Sequence, residues 1–374
     1  MQSISEKPPP VTCHFHETGS FVTTLLAIAG TLALIYWYAR HAYRVHPSED
    51  EVHFITTDDG WRVALSRYKP RAKKRKHPII MCHGLGANHL GFDLRPDHSV
   101  PVHLAKQGFD VWVLDLRGSG YSERASLLSG KPFRWTFDDY LINDAPAAID
   151  YVCKMTRSKQ VHWLGHSMGG LLLYSLLALG WSDRIRSAIV TGSSLNYAGT
   201  RSDFNLYLKL VWLTDLIPGI PAGLISRLIA PIIGRVPNPF EKFNWWPDNM
   251  DAADRRRLCA WALDDIPSGL LRQLATAFDP DGLKSADGTV NYFERLQDAT
   301  TPVLVFAGDM DRQCPPEAAE RTLDQLGNSE ESRLVVLGRG YGQQTHYGHI
   351  DLLVGRQAPV DVWPQLDDWL IEHD

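Results

Sequence analysis

One pentapeptide constrains this chain more than any other part of it: Gly165-His166-Ser167-Met168-Gly169. It follows the apolar run Val161-His162-Trp163-Leu164 and leads into Leu171-Leu172-Leu173-Tyr174-Ser175-Leu176-Leu177. That succession predicts a strand, a tight turn with serine at its apex, and a helix. A serine on so sharp a corner takes a strained backbone conformation, and side chains two residues to either side would collide, so glycines stand there. In return the hydroxyl stands clear of the sheet at the positive end of a helix, with the next backbone N–H aimed at a developing oxyanion. A Gly-rich turn without chemistry is the bland alternative. The strand before and the helix after favour a turn built to present a nucleophile.

A serine hydroxyl is a weak nucleophile at neutral pH and needs a base and an orienting acid. Candidates for both lie later in the chain. Pro302-Val303-Leu304-Val305-Phe306-Ala307 reads as a buried parallel strand ending in Gly308-Asp309-Met310-Asp311-Arg312. Ser332-Arg333-Leu334-Val335-Val336-Leu337 is a further strand, followed by a Gly-rich loop that holds His346 and His349. Carboxyl ends of parallel strands are where open α/β sheets keep their sites. Asp311, further into its loop, is favoured as the acid, with Asp309 expected to cap the turn. His349, directly before Ile350-Asp351-Leu352-Leu353-Val354, is favoured as the base over His346, which is expected to have no special duty. His166 is expected to point away from the nucleophile and to be structural. A second oxyanion donor is expected from His83-Gly84-Leu85-Gly86-Ala87-Asn88, after the buried strand Pro78–Cys82. The two donors are then the N–H groups of Leu85 and Met168; a mere turn at His83-Gly84 is the weaker reading.

These residues, and others around them, resemble a known superfamily, the α/β-hydrolases. Within it the chain is most similar to the acid lipase group that includes lysosomal and gastric lipases. The likeness runs through Gly108-Phe109-Asp110-Val111-Trp112-Val113, Arg117-Gly118, Trp135-Thr136-Phe137-Asp138-Asp139 and Asp144-Ala145-Pro146-Ala147-Ala148-Ile149-Asp150 to the Ser167 turn. Gly348-His349-Ile350-Asp351 resembles the group's catalytic-histidine segment, which supports His349 over His346. Met168 and Gly170 are more like bacterial esterases and monoacylglycerol lipases. The resemblance covers roughly residues 50 to 194 and 300 to 374. It implies an α/β-hydrolase fold, a mostly parallel central sheet with helices on both faces and an inserted helical cap; an N-terminal transmembrane helix is expected from the residues before it.

The segment Phe21–Ala39 carries no charge and is long enough to cross a bilayer core as a helix. Tyr36, Trp37 and Tyr38 suit an interfacial aromatic belt, with Arg40 and Arg44 just outside it. A cleaved signal would want basic residues before the run and small ones at its end; Glu6, Lys7 and Glu17 precede it and bulky aromatics close it. An uncleaved single-pass anchor is therefore expected, and the arginines place the catalytic domain on the cytoplasmic side. The expected organisation is a tail over 1–20, the anchor over 21–39, a linker over 40–52, a catalytic domain over 53–194 and 301–374, and a cap over 195–300. The catalytic domain opens with a hairpin, His53–Thr56 and Trp61–Tyr68 around Asp58-Asp59-Gly60. The basic run Arg71–Lys76 falls at the end of the sheet away from the catalytic loops and reads as a solvated loop, although it could touch anionic lipid.

With 374 residues, 44% of them hydrophobic, the chain can bury a full core without disulfides. Its five cysteines (Cys13, Cys82, Cys153, Cys259, Cys314) lack metal-ligand spacing, and Cys82 and Cys153 read as small core residues. A net charge of −5 gives no nucleic-acid footprint. In the cap, Leu206–Leu213 and Leu224–Ile233 are apolar, helix-compatible and interrupted by Pro218, Pro221 and Pro231. They read equally as cap core or as an acyl-binding wall lying partly on the lipid surface; on the second reading Trp212 and Leu228 touch substrate. The expected function is hydrolysis of carboxylic esters, of lipids above all, through an acyl-serine at Ser167, with no metal and no organic cofactor. An acyltransferase or thioesterase with the same triad, and an inactive lipid- or partner-binding scaffold, are the alternatives. Enzymes of this fold with aspartate or cysteine nucleophiles are disfavoured by the serine itself.

Overall fold

Both faces of the central strands are apolar, so the sheet must be covered on both sides. In strand β3 (Ile79–Cys82), Ile80 and Cys82 enter one core layer while Ile79 and Met81 enter the other, all fully buried. The computed structural model describes residues 15–126, 130–208, 212 and 215–374. Its main sheet has eight strands: β1 (Glu51–Thr56), β2 (Arg62–Tyr68), β3, β4 (Val111–Asp115), β5 (Val161–His166), β6 (Ile185–Thr191), β7 (Val303–Gly308) and β8 (Arg333–Leu337). Their spatial order is β1-β2-β4-β3-β5-β6-β7-β8. β2 runs antiparallel to both β1 and β4, and the other pairs are parallel. The expected hairpin is present. Its first strand starts at Glu51 rather than His53, because Glu51 pairs with Arg67 both in register and by an ion pair of 3.0 Å.

Short helices cross between the strands. Helix α1 (Phe15–Ala42) precedes the sheet and is treated below. Helix α2 (Val100–Lys106) packs on one face, while α3 (Ala145–Thr156) and α4 (Met168–Ala178) pack on the other. Because Tyr68 pairs with Val111, the first residue of β4, the basic loop after β2 lies at the end away from the strand carboxyl ends.

Between β6 and β7 the alternation gives way to small helices and a two-residue ribbon, Gly219–Ile220 against Ile266–Pro267. Helix α5 (Ala222–Ile229) and helix α6 (Ala252–Trp261) are its main bodies. The apolar run Leu224–Ile233 is not one helix. α5 ends at Ile229, two residues before Pro231, which has no N–H to continue the ladder. Of Leu206–Leu213, the helix Phe204–Leu208 is described, whereas 209–211 and 213 lie outside the described residues, as do Cys13 and most of the 1–20 tail. After the insertion, α7 (Pro316–Asp324) joins the face of α3 and α4, and α8 (Trp363–Glu372) joins that of α2.

Helix α1 continues past the expected end at Ala39. Its last turn is held: Ala39 is fully buried, Arg40 donates to the Ala260 carbonyl (3.2 Å), and its guanidinium lies 3.2 Å from the Trp261 ring centroid. The apolar helix therefore ends packed on α6 and not on a free linker. The four described cysteines are all buried and free, Cys82 and Cys153 among them.

One buried ion network ties the hairpin to the sheet. Arg117, 1% exposed, donates through Nε and Nη2 to Asp144 (2.9 and 2.7 Å) and through both terminal nitrogens to Asp59 in the hairpin turn (2.5 and 2.9 Å). Burial pushes the Asp144 carboxyl up to about 6, against the pull of Arg117. Arg117→Met should cost about 3–5 kcal/mol in denaturant unfolding, because it strands a fully buried carboxylate. A loss below about 1 kcal/mol would show that water reaches the network.

Candidate active site

Strand β5 runs into α4 through Ser167, at φ 53° and ψ −119°. Among the described residues only Arg157 shares a positive φ without being glycine. The flanking glycines are sterically required. A Cβ on Gly165 would lie 2.3 Å from the Gly169 carbonyl oxygen, and one on Gly169 would lie 2.1 Å from the carbonyl oxygen of Cys82. The Ser167 N–H donates to Thr191 at the end of β6 (2.9 Å), so two strands hold the corner. Met168 opens α4, where no carbonyl one turn earlier in the helix can take its N–H.

The loop after β3 lies against this corner: a Cβ on Gly84 would come within 2.9 Å of Ser167 Cβ. His83 orients it. Leu116 N–H donates to His83 Nε2 (3.2 Å), which leaves the hydrogen on Nδ1, and Nδ1 then donates to the Gly84 carbonyl (2.9 Å). That carbonyl and the Leu85 N–H belong to one rigid peptide unit, so fixing one end aims the other. The cap holds the same loop from outside. Asp264, 1% exposed, donates its N–H to the Gly86 carbonyl (2.8 Å) and accepts from Asn88 Nδ2 (2.8 Å).

Asp311 and His349 meet as a buried pair, Nδ1 to Oδ2 at 2.7 Å. The other Asp311 oxygen accepts the N–H groups of Gln313 (2.8 Å) and Cys314 (2.9 Å). Gly192, at φ 60°, makes room for the pair; a Cβ there would lie 2.8 Å from His349 Nδ1 and 3.1 Å from Asp311 Oδ2. His349 Nε2 is buried without a protein partner, so its lone pair is available to a hydroxyl. The ring lies 4.7 Å from that of His166. His166 is thus a neighbour of His349, bonded to Thr191 Oγ1 at 2.9 Å; burial, and then His349 itself, hold its pKa well below the usual imidazole value.

Asp309 and His346 form a second pair, Oδ2 to Nδ1 at 2.6 Å. Asp309 also accepts the Tyr347 N–H (3.0 Å), so it binds the neighbouring loop instead of capping its own turn, and His346 is its partner. Asp351 clamps the same loop to the cap, accepting the N–H groups of Gly348 (3.0 Å) and Trp246 (3.0 Å) and the Asn249 amide (2.9 Å). Sequence reasoning missed Gly192, Asp264 and the clamp role of Asp351. Only Asp351 carried a signal, its place two residues after His349. Of the two residues expected to touch substrate, Trp212 is 58% exposed and Leu228 is half-buried on α5. Among the described residues, the one group of three His, Cys, Asp or Glu side chains with converging donor atoms lies at the other end of the sheet.

Comparison with known proteins supports the fold. A family model described as "alpha/beta hydrolase fold" matches residues 77–212. Lipase 1 of Drosophila melanogaster is 24% identical over 361 residues, 86% of this chain and 76% of that protein. Triacylglycerol lipase 2 of Arabidopsis thaliana is 32% identical over 151 residues, 37% of this chain and only 36% of that protein. Among solved structures, a membrane phospholipase A described as a bacterial virulence factor superposes with a TM-score of 0.57 over 96% of this chain and 99% of its own, at 16% identity. The chain has an α/β-hydrolase fold, with residues 77–212 matching that family model, and is similar to lipases and esterases.

Two substitutions test the site's packing. Gly192→Ala should cost about 1–2 kcal/mol through backbone strain and lower ester hydrolysis at least tenfold by displacing the His349–Asp311 pair; unchanged turnover would show that the pair tolerates the methyl group. Burial raises the Asp351 carboxyl from the ordinary value of about 3.9 to about 6. Folding therefore takes up a proton in that window, and stability is fully present below pH 4 and lost as pH rises through 6. Relative to Asp351→Asn, the wild-type protein should lose up to about 3 kcal/mol between pH 4 and 7 in urea unfolding.

Proposed function

We propose that this protein is a membrane-anchored serine hydrolase that cleaves the carboxylic esters of lipids through an acyl-serine intermediate. The observation that carries the reading is a buried His349–Asp311 pair, with one imidazole nitrogen unpartnered, whose ring lies 4.7 Å from that of His166, the residue before a serine held at positive φ. Ser167 Oγ attacks the ester carbonyl as His349 Nε2 takes its proton. Asp311 holds the Nδ1 tautomer and stabilises the imidazolium. The Leu85 and Met168 N–H groups receive the oxyanion. His349 then protonates the departing alcohol, and water releases the acid by the reverse sequence. All of this is carried by groups of the chain itself, with no cofactor needed for any step.

Lipid as the substrate class is supported by the surface beside the site. Phe21–Ala42 is long and apolar enough to cross a bilayer, and its segment is exposed to the surroundings. The cap on which it ends exposes Leu216, Ile217, Leu224, Ile225, Ile232 and Val236. An exposed apolar face of this kind suits a lipid surface. We read the single-pass segment as an anchor with the catalytic domain on the cytoplasmic side, as the flanking arginines suggest.

A fluorophosphonate probe should label the wild-type protein at Ser167 and leave Ser167→Ala unlabelled. Ser167→Ala and His349→Ala should each lower kcat/KM for p-nitrophenyl esters by about 10⁴–10⁶ with unchanged folding. His346→Ala should lose far less. Activity retained in His349→Ala would reassign the base, and a wild-type protein inert to the probe would favour the scaffold reading.

Substrate class is tested by chain length. Each methylene buried in an acyl site adds up to about 0.8 kcal/mol, so specificity should rise from acetate to octanoate, and Leu228→Gln should flatten the rise while sparing acetate. A preference for acetate would exclude the lipid reading. Deleting residues 1–38, which leaves the docked Ala39 and Arg40 in place, should spare soluble esters and reduce turnover of vesicle-borne lipid. Equal losses on both substrates would mean that the segment belongs to the catalytic body.

A further inference from the structure

We propose that His77, His162 and Asp374 form a binding site for a divalent transition-metal cation, Zn²⁺ above all, at the end of the sheet opposite Ser167. The three residues come from separate parts of the chain. His77 stands two residues before β3, His162 is the second residue of β5 and pairs in register with Ile79, and Asp374 follows α8. His162 is fully buried and His77 is 5% exposed. His77 Nδ1 and His162 Nε2 are both buried without a hydrogen-bond partner. Both face the same carboxylate oxygen, Asp374 Oδ1, at 3.4 and 3.8 Å, longer than a good hydrogen bond.

Two orphaned nitrogens converging on one oxygen call for a shared electrophile, since each left unmade is costly. A tetrahedral Zn²⁺ with ligands at about 2.0–2.1 Å holds its donor atoms about 3.4 Å from one another. The three donor atoms lie within 4.8 Å of one another, so closing on such an ion takes ring movements on the order of 1 Å. The surroundings already orient the ligands. His162 Nδ1 bonds Ser187 Oγ at 2.9 Å, so a hydrogen placed on Nδ1 leaves the Nε2 lone pair free to face inward. Asp374 is held by the N–H groups of His77 (2.9 Å) and Lys76 (3.0 Å). Two imidazoles and one carboxylate select zinc-like cations over Mg²⁺ or Ca²⁺, and water completes the coordination at the partly exposed Asp374 edge. Bound there, the ion staples the end of α8 to the two central strands and takes no part in the chemistry at Ser167.

The test uses the full chain in detergent after stripping with a chelator. Co²⁺ should bind one equivalent at this site with visible d–d bands, Zn²⁺ should displace it, and Zn²⁺ should raise the melting temperature by several degrees. Asp374→Asn, at the rim, and His77→Gln should keep the near-ultraviolet signature of the folded protein while weakening binding at least tenfold and abolishing the thermal shift. Equal affinity and equal spectra in the wild type and Asp374→Asn would overturn the proposal. So would the absence of any binding tighter than about 1 mM, which would leave the cluster as a histidine–carboxylate ion pair only.

Discussion

The backbone of Ser167, an L-residue held at φ 53°, is the constraint on which the site depends. Such a conformation costs on the order of 1–3 kcal/mol and survives only where its surroundings over-determine it. Here they do so from three sides. β6 takes the Ser167 N–H, Gly165 lets the turn close on Gly169, and Gly169 lets α4 approach the end of β3. Those contacts bring the His83–Asn88 loop and the start of α4 to one point, so a single strained residue sets the positions of both oxyanion donors in the proposed mechanism.

The segment inserted between β6 and β7 is part of the site's framework. Asp264 holds the loop after β3, and Asp351 binds the His349 loop to Trp246 and Asn249 of the cap. Gln313, beside Asp311, reaches the Phe243 carbonyl (3.1 Å). These are buried, well-partnered polar contacts, which are costly to break singly and therefore restrict motion. Around Leu216 to Ile225 the same region exposes apolar side chains, Leu216, Ile217, Leu224 and Ile225 among them. This region thus divides into a part that fixes the loops of Asp311, His349 and Gly84–Asn88 and a part that is exposed and apolar.

Helix α1 adds direction to this arrangement. Arg40 stacks on Trp261 and bonds the Ala260 carbonyl, which joins the end of the apolar helix to the same α6 that leads into Asp264. If the helix spans a bilayer, the cap is the part of the catalytic body held nearest to it. The proposed metal cluster and the basic loop lie at the opposite end of the strands, where the chain turns back, so the sheet separates a chemical end from a structural one.

The Ser167 turn, and the strand ends that carry Asp311 and His349, were legible in the sequence because their constraints are local. A serine between glycines, framed by a strand and a helix, has few other conformations, and Asp311 and His349 follow strand ends that apolar runs announce. Strands β3, β5 and β7 were legible for the same reason: continuous apolar runs mark strands buried on both faces. What the sequence could not decide was pairing across distance. That Asp309 joins His346, that Asp264 holds the loop after β3, and that Arg40 rests on Trp261 are contacts between segments far apart in the chain, and no periodicity encodes them. Nor could the linear order show that Gly192 makes room for the His349–Asp311 pair, or that His77, His162 and Asp374 converge. Backbone conformation is set by neighbours along the chain, whereas the partners of buried polar groups are chosen only when the layers close around them.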